Sequence, residues 1–139
     1  MITLQKFTIN YIPYLLKWFA NKNNRKYMHT QTITLSGAKK LIASNKNKKC
    51  YIIKKDHTPI GYCMLKDINT YPKIGIMIDE KYQSLGFGYK AMKLLHKKAI
   101  KYKCKNIGLM VHIKNKKAIN LYKKLGYEQT HYIMNKQLD

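Results

Sequence analysis

Acidic residues are scarce in this chain. Six aspartates and glutamates stand against 28 lysines and arginines, for a formal charge of +22. Such a field attracts polyanions and repels polycations. Arginine is nearly missing as well: Arg25 is the only one, so the excess is lysine, and asparagine and isoleucine are abundant beside it. Arginine is the preferred reader of phosphates and bases. The lysines are also spread along the chain. Both facts count against a dedicated nucleic-acid reader and for a composition habit of AT-rich coding. The three cysteines, Cys50, Cys63 and Cys104, form no C-x-x-C pair and no metal-ligand spacing. A disulfide framework and a zinc site are excluded, and a reduced, cytoplasmic setting with cysteines as small core residues is expected. No long apolar run exists: the stretch 11–20, YIPYLLKWFA, is too short for a bilayer and contains Pro13 and Lys17. The start, MITLQKF, is not a signal peptide. Repeats and Pro-rich or Gly/Ser-rich tracts are absent too, so 139 residues predict one domain over 1–139 with a proper core.

What is present is an alternation of strand and helix patterns. Residues 2–8 predict a strand. Asn10 caps a helix over 11–20 with Pro13 in its first turn, where a missing N–H does no harm. A polar loop follows over 21–34, then a helix capped by Ser36 and ending near Asn45. Segments 50–55 and 60–67, with a turn between, predict a hairpin, and 73–79 a further strand with Ile74, Ile76 and Ile78 on one face. Residues 88–103 carry a buried stripe of Ala91, Met92, Leu95, Ala99 and Tyr102 opposite a lysine face. Residues 106–113 predict a buried strand. Asn115 caps a helix over 116–125, ended by Gly126. Residues 127–138 alternate enough for a last strand or hairpin. The order is β-α-α-β-β-β-α-β-α-β, an α/β domain with a mixed sheet.

The junction between 73–79 and the long helix carries Gly86 and Gly88. Glycine lets successive backbone N–H groups approach a ligand, and the helix behind adds unpaired donors and a partial positive charge. That is an anion site, ordinarily for a phosphate or pyrophosphate. Gly86-x-Gly88-x-x-Ala91 matches a dinucleotide fingerprint literally. However, no acidic residue lies between Glu80 and Glu128 to meet a ribose hydroxyl, and the chain is too short for two mononucleotide halves. The other candidate is coenzyme A. Tyr82-Gln83-Ser84-Leu85-Gly86-Phe87-Gly88 resembles the Q/R-x-x-G-x-G/A pyrophosphate loop of the Gcn5-related N-acetyltransferases (GNAT family). The run from Asn115 through Ala118 and Tyr122 to Gly126-Tyr127 resembles that family's N-x-x-A-x-x-x-Y-x-x-x-G-F/Y segment. The element order matches over essentially the whole chain. The NNRKYMHT region and Ile74–Ile78 look most like the branch containing ribosomal-protein, spermidine and amino-sugar acetyltransferases.

The resemblance implies an acetyl-CoA-dependent N-acetyltransferase with no metal, acting on a primary amine by direct attack. It puts Gln83, Ser84, Leu85, Gly86, Phe87 and Gly88 on the pyrophosphate. It leaves Ile76, Met77 and Ile78 to pair with the pantetheine arm where two strands splay apart. The backbone N–H of Ile78 becomes an oxyanion donor. Asn115 is a helix N-cap by type, and the family places its side chain on the pantetheine arm. Tyr122, seven residues on along the same helix, is the expected general acid: a phenol with an ordinary pKa near ~10 stays protonated at neutral pH and can quench a departing thiolate. Arg25, Tyr27 and His29 in the 21–34 loop, with His112, are the expected acceptor-side residues. His57 and His96 read as surface residues.

Departures from the family pattern bear on the base and the acceptor. Gln83 stands where many relatives have arginine, and Lys73 where related chains often carry glutamate. The acidic residues are Asp56, Asp67, Asp79, Glu80, Glu128 and Asp139, none within 73–78, so the base stays unassigned. The lysine-rich surface favours an anionic acceptor, such as a nucleotide-linked amino sugar, an acidic peptide or a protein N-terminus, over polyamines and aminoglycosides. A basic nucleic-acid-binding module and a non-catalytic coenzyme A-binding protein are the alternatives on the same fold. Relatives often form homodimers, which leaves the oligomeric state open.

Overall fold

The computed structural model of the chain describes residues 1–28 and 32–139. Four strands, β1 (Ile2–Lys6), β2 (Lys48–Lys55), β3 (Thr58–Lys66) and β4 (Lys73–Ile78), form one sheet in the order β1-β2-β3-β4, every neighbouring pair antiparallel. Helices α1 (Ile12–Ala20), α2 (Lys22–Arg25) and α3 (Leu35–Ile42) lie between β1 and β2. Helices α4 (Phe87–Lys101) and α5 (Lys116–Lys124) follow β4.

The central stretches of β2 and β3, 50–53 and 60–65, are buried at every position because both faces of the sheet are covered there. Successive side chains go to opposite faces. Cys50, Ile52, Tyr62, Met64 and Met77 pack with Leu15, Trp18 and Phe19 of α1 and Ala38 and Ile42 of α3. Tyr51, Ile53, Cys63, Leu65 and Ile74 pack with Ala91, Met92, Leu95 and Ala99 of α4. The alternation breaks once. The β2–β3 register shifts between Ile53 and Lys54. Ile60 thereby joins the α4 side, fully buried, although Tyr62 and Met64 face α1. Each such side chain contributes roughly 1.5–3 kcal/mol. The stripe expected on the long helix is therefore correct for Ala91, Met92, Leu95 and Ala99, while Tyr102 is 37% exposed. Cys50 and Cys63 are buried free thiols, as expected of core residues.

Helix starts differ from the sequence expectation in detail. A short 3-10 turn over Ile9–Tyr11 leads into α1, so Asn10 is not its cap, although Pro13 does sit in the first turn. α3 is capped by Thr34, whose hydroxyl accepts the Gly37 N–H at 3.0 Å, rather than by Ser36.

Two expected strands are not formed. Residues 106–113 touch the sheet through a single parallel bridge, Lys73 with Gly108. Ile107 and Leu109 find apolar cover against the α4 side without a ladder, while Met110 and Ile113 are about 70% exposed. Residues 127–138 are irregular and largely exposed. Alternation alone gives them no face to bury, with Tyr132 84% and Met134 89% exposed. Among the described residues, no helix is long and apolar enough to cross a membrane.

Candidate active site

The site starts from the outer edge of β4. The Asp79 N–H bonds the Ile60 carbonyl at 2.8 Å, toward β3, while the Ile74 N–H turns outward to the Gly108 carbonyl at 2.9 Å. Backbone groups alternate between the two edges of an antiparallel strand. Ile76 and Ile78 therefore point their amides outward with Ile74, and no described protein atom accepts them. Met77 is the reverse. Its backbone is committed to β3 and its side chain is buried on the α1 side, which corrects its expected place on the coenzyme edge.

The turn after β4 first closes on its own backbone. The Tyr82 N–H bonds the Asp79 carbonyl at 2.8 Å and the Gln83 N–H bonds the Glu80 carbonyl at 3.3 Å. Gln83 thus contributes no free backbone donor, contrary to expectation. Its side chain instead donates to the Ile78 carbonyl at 2.7 Å and ties the loop back onto the strand. Ser84 (φ 61°) and Gly86 (φ 84°) are left-handed, and Gly86 is the residue from which α4 springs. The next engaged amide is Lys90, on the Gly86 carbonyl at 3.3 Å. The N–H groups of Ser84 through Tyr89 find no acceptor among the described residues. That nest, at a helix N-terminus of 15 residues, suits a diphosphate.

α5 docks on the first turn of α4. A Cβ on Gly88 would lie 3.3 Å from Leu121 Cδ2, so glycine sets the approach of the two helices. Asn115 is the N-cap, its Oδ1 accepting the Ala118 N–H at 3.3 Å. Tyr122, the next residue after Leu121, is half-buried against the α4-side core. Burial raises its pKa above the ordinary phenol value, and its hydroxyl has no hydrogen-bond partner among the described residues. Its ring meets that of Tyr127 edge-on at 5.8 Å. Tyr127 in turn bonds His96 of α4, Oη to Nε2, at 2.7 Å. His96 is thus half-buried and engaged, not the surface residue its lysine-rich surroundings suggest. Burial lowers its pKa.

The corner between α1 and α2 is held by asparagines. Asn21 caps α2 with its Oδ1 and donates to Glu80 at 2.8 Å. Asn24, 8% exposed, donates to the Trp18 carbonyl at 3.1 Å and the Asp79 carboxylate at 3.0 Å, and accepts the Glu80 N–H at 2.9 Å. The α1–α2 corner is thereby stapled to the end of β4. The Tyr27 ring lies 5.4 Å from that of His112. His112 Nδ1 accepts the Lys114 N–H at 3.1 Å, so the neutral ring carries its proton on Nε2 and offers a donor there, not a base. The Arg25 Nε is buried and unpartnered. His29 lies outside the described residues. Lys73 pairs with Asp67 at 3.2 Å. Among the described residues, no three His, Cys, Asp or Glu side chains are placed to hold a metal ion.

Sequence reasoning missed Asn24, the Gln83 side-chain tie and the His96–Tyr127 bond. Asn24 sits in a polar string, NKNNR, that reads as loop, and nothing in it marks the one asparagine that is buried. His96 and Tyr127 are 31 residues apart with no pattern linking them.

The model of the acetyltransferase (GNAT) family matches residues 12–127. No curated protein sequence matches the chain. Among solved structures, a domain from Methanocaldococcus jannaschii superposes with a TM-score of 0.83 at 22% identity, covering 94% of this chain and 90% of its own. The spermidine N-acetyltransferase of Vibrio cholerae, in complex with CoA and spermine, gives 0.84 at 19% identity and covers 99% and 88%. An aminoglycoside acetyltransferase in complex with coenzyme A gives 0.79 at 17% identity and covers 94% and 86%. At these identities the structures speak for the fold.

Proposed function

Because the chain belongs to the GNAT acetyltransferase family, we propose that it moves the acetyl group of acetyl-CoA to a primary amine, with Tyr122 as general acid. The observation that carries this reading is the convergence of unpartnered amides: Ile76 and Ile78 from one strand edge, Ser84 through Tyr89 from one helix start. The coenzyme supplies an activated acetyl group, a diphosphate and an amide-bearing arm. The nest fits the diphosphate and the bare edge fits the arm. Asn115 sits at the start of α5, where its remaining polar atoms can meet the arm.

The chain's own groups then divide the work. The Ile78 N–H faces the thioester oxygen and stabilises the negative charge that develops as the neutral amine attacks the carbonyl carbon. The carbon–sulfur bond breaks, and Tyr122 gives its proton to the departing thiolate. A hydroxyl engaged by no atom of the described residues is available to do so, and burial favours its protonated form. An amine that arrives neutral still sheds one proton from its nitrogen as the amide forms; that proton passes through water to the Tyr122 phenolate and restores the acid, so the step balances without a separate base.

Acceptor choice follows from charge. The chain carries a formal charge of +22, and such a field favours anions over cations. An amine with an anionic remainder, such as a nucleotide-linked amino sugar or an acidic protein N-terminus, suits it; a polyamine does not.

Isothermal titration should show acetyl-CoA binding, and no heat at millimolar coenzyme would reject the proposal. Tyr122→Phe should lower kcat by about 10²-fold while the KM for acetyl-CoA stays within about twofold. Unchanged turnover would remove Tyr122 from the chemistry. A panel of a UDP-linked amino sugar, an acidic peptide, spermidine and kanamycin, followed by thiol release, ranks the acceptors; preference for spermidine would overturn the anionic assignment.

A further inference from the structure

α5 is a short helix of nine residues with no fully buried side chain, flanked on both sides by irregular chain. Such an element does not hold a phenol to a fraction of an ångström by itself. Its C-terminal end is fixed by Tyr127. The Tyr127 N–H bonds the Tyr122 carbonyl at 3.0 Å, its ring supports the Tyr122 ring, and its hydroxyl bonds His96 Nε2 at 2.7 Å. His96 stands on α4, between Leu95, which is fully buried, and the sheet-packed Ala99. The same helix begins at Gly86 and carries the amide nest.

We propose that His96 and Tyr127 are positioning residues that reference the Tyr122 hydroxyl to the helix holding the coenzyme. The proposal rests on the reading of Tyr122 as general acid. Neither residue touches the reacting atoms. His96 locks the Tyr127 ring, and that ring limits how far Tyr122 can turn from the departing sulfur. Burial favours the neutral imidazole, which leaves one proton in the His96–Tyr127 contact and a single well-formed bond.

The test is a double-mutant cycle measured with the fastest acceptor of the panel. Tyr127→Phe keeps the ring and removes the bond. It should lower kcat by about threefold to tenfold with the acetyl-CoA KM within about twofold. His96→Phe should match it, and His96→Gln, which can still bond the hydroxyl, should recover most of the loss. In a Tyr122→Phe background, Tyr127→Phe should cost nothing further, because the group it positions is gone. An equal loss in both backgrounds, or no loss at all, would overturn the proposal. A normal kcat in Tyr122→Phe alone would instead strike the general-acid reading, and the positioning role with it. A second measurement needs no acceptor. In protein labelled at tyrosine Cζ, the Tyr122 resonance, assigned by its absence in Tyr122→Phe, should shift or broaden in both Tyr127→Phe and His96→Phe. An unmoved signal would also overturn the proposal.

Discussion

Gly61 faces Ile78 across the β3–β4 register, and a Cβ there would overlap the Met77 carbonyl oxygen and come within 3.0 Å of the Ile78 Cα. Both obstacles are backbone, so β4 must move for any side chain to fit. Gly61→Ala should destabilise the fold by about 1–3 kcal/mol in urea titrations and weaken acetyl-CoA binding in the same variant, because the displaced strand is the one whose edge the coenzyme uses. Wild-type stability would mean that β3 and β4 part freely at this point. Nothing in IGYC announced this contact. Residues marked by backbone chemistry were more legible: Gly86 of the turn and the capping Asn115 both stand where their types suggested. Met77 was placed wrongly because a run of three edge residues looks equivalent in sequence, while strand parity makes only two of them face outward.

Among elements, the joint between α2 and β4 depends on one amide side chain. Asn24→Ala would strip a buried carboxylate, Asp79, of its Asn24 donor and the Glu80 N–H of its acceptor, while the Trp18 carbonyl would keep only the bond from the Asn21 N–H. A loss of about 2–4 kcal/mol is expected in chemical denaturation. The acceptor KM should also rise more than the coenzyme KM. Equal effects on both would place α2 outside the acceptor site. Seven of the eight helices and strands from β1 through α4 announce themselves by periodicity, α2 being too short to do so. The failures lie at the splayed end. Apolar content in 106–113 signalled burial, which is met in part by side-chain packing, but a hydrogen-bond ladder needs the segment to run alongside the open edge over several residues. β4 grants only the bridge at Gly108.

At the scale of the whole molecule, charge dominates. A body at +22 draws an anionic coenzyme from beyond contact distance. Raising salt from about 50 mM to about 500 mM should weaken acetyl-CoA binding by about threefold to tenfold through screening. Titration calorimetry across that range checks this, and a flat response would reduce the lysine excess to composition without a part in binding. The charge was plain from composition. Its division between function and habit was not, because exposed lysines give no periodic signal of what they face.

The sheet separates two packed layers: α1, α3 and the asparagine-stapled corner on one side, α4, α5 and the amide nest on the other. Few side chains answer to both. On the proposed function, such a partition lets one layer change its shape, and with it the amine admitted, while the other keeps its grip on a common acetyl donor. A lineage built this way can acquire new clients by remodelling a single wall.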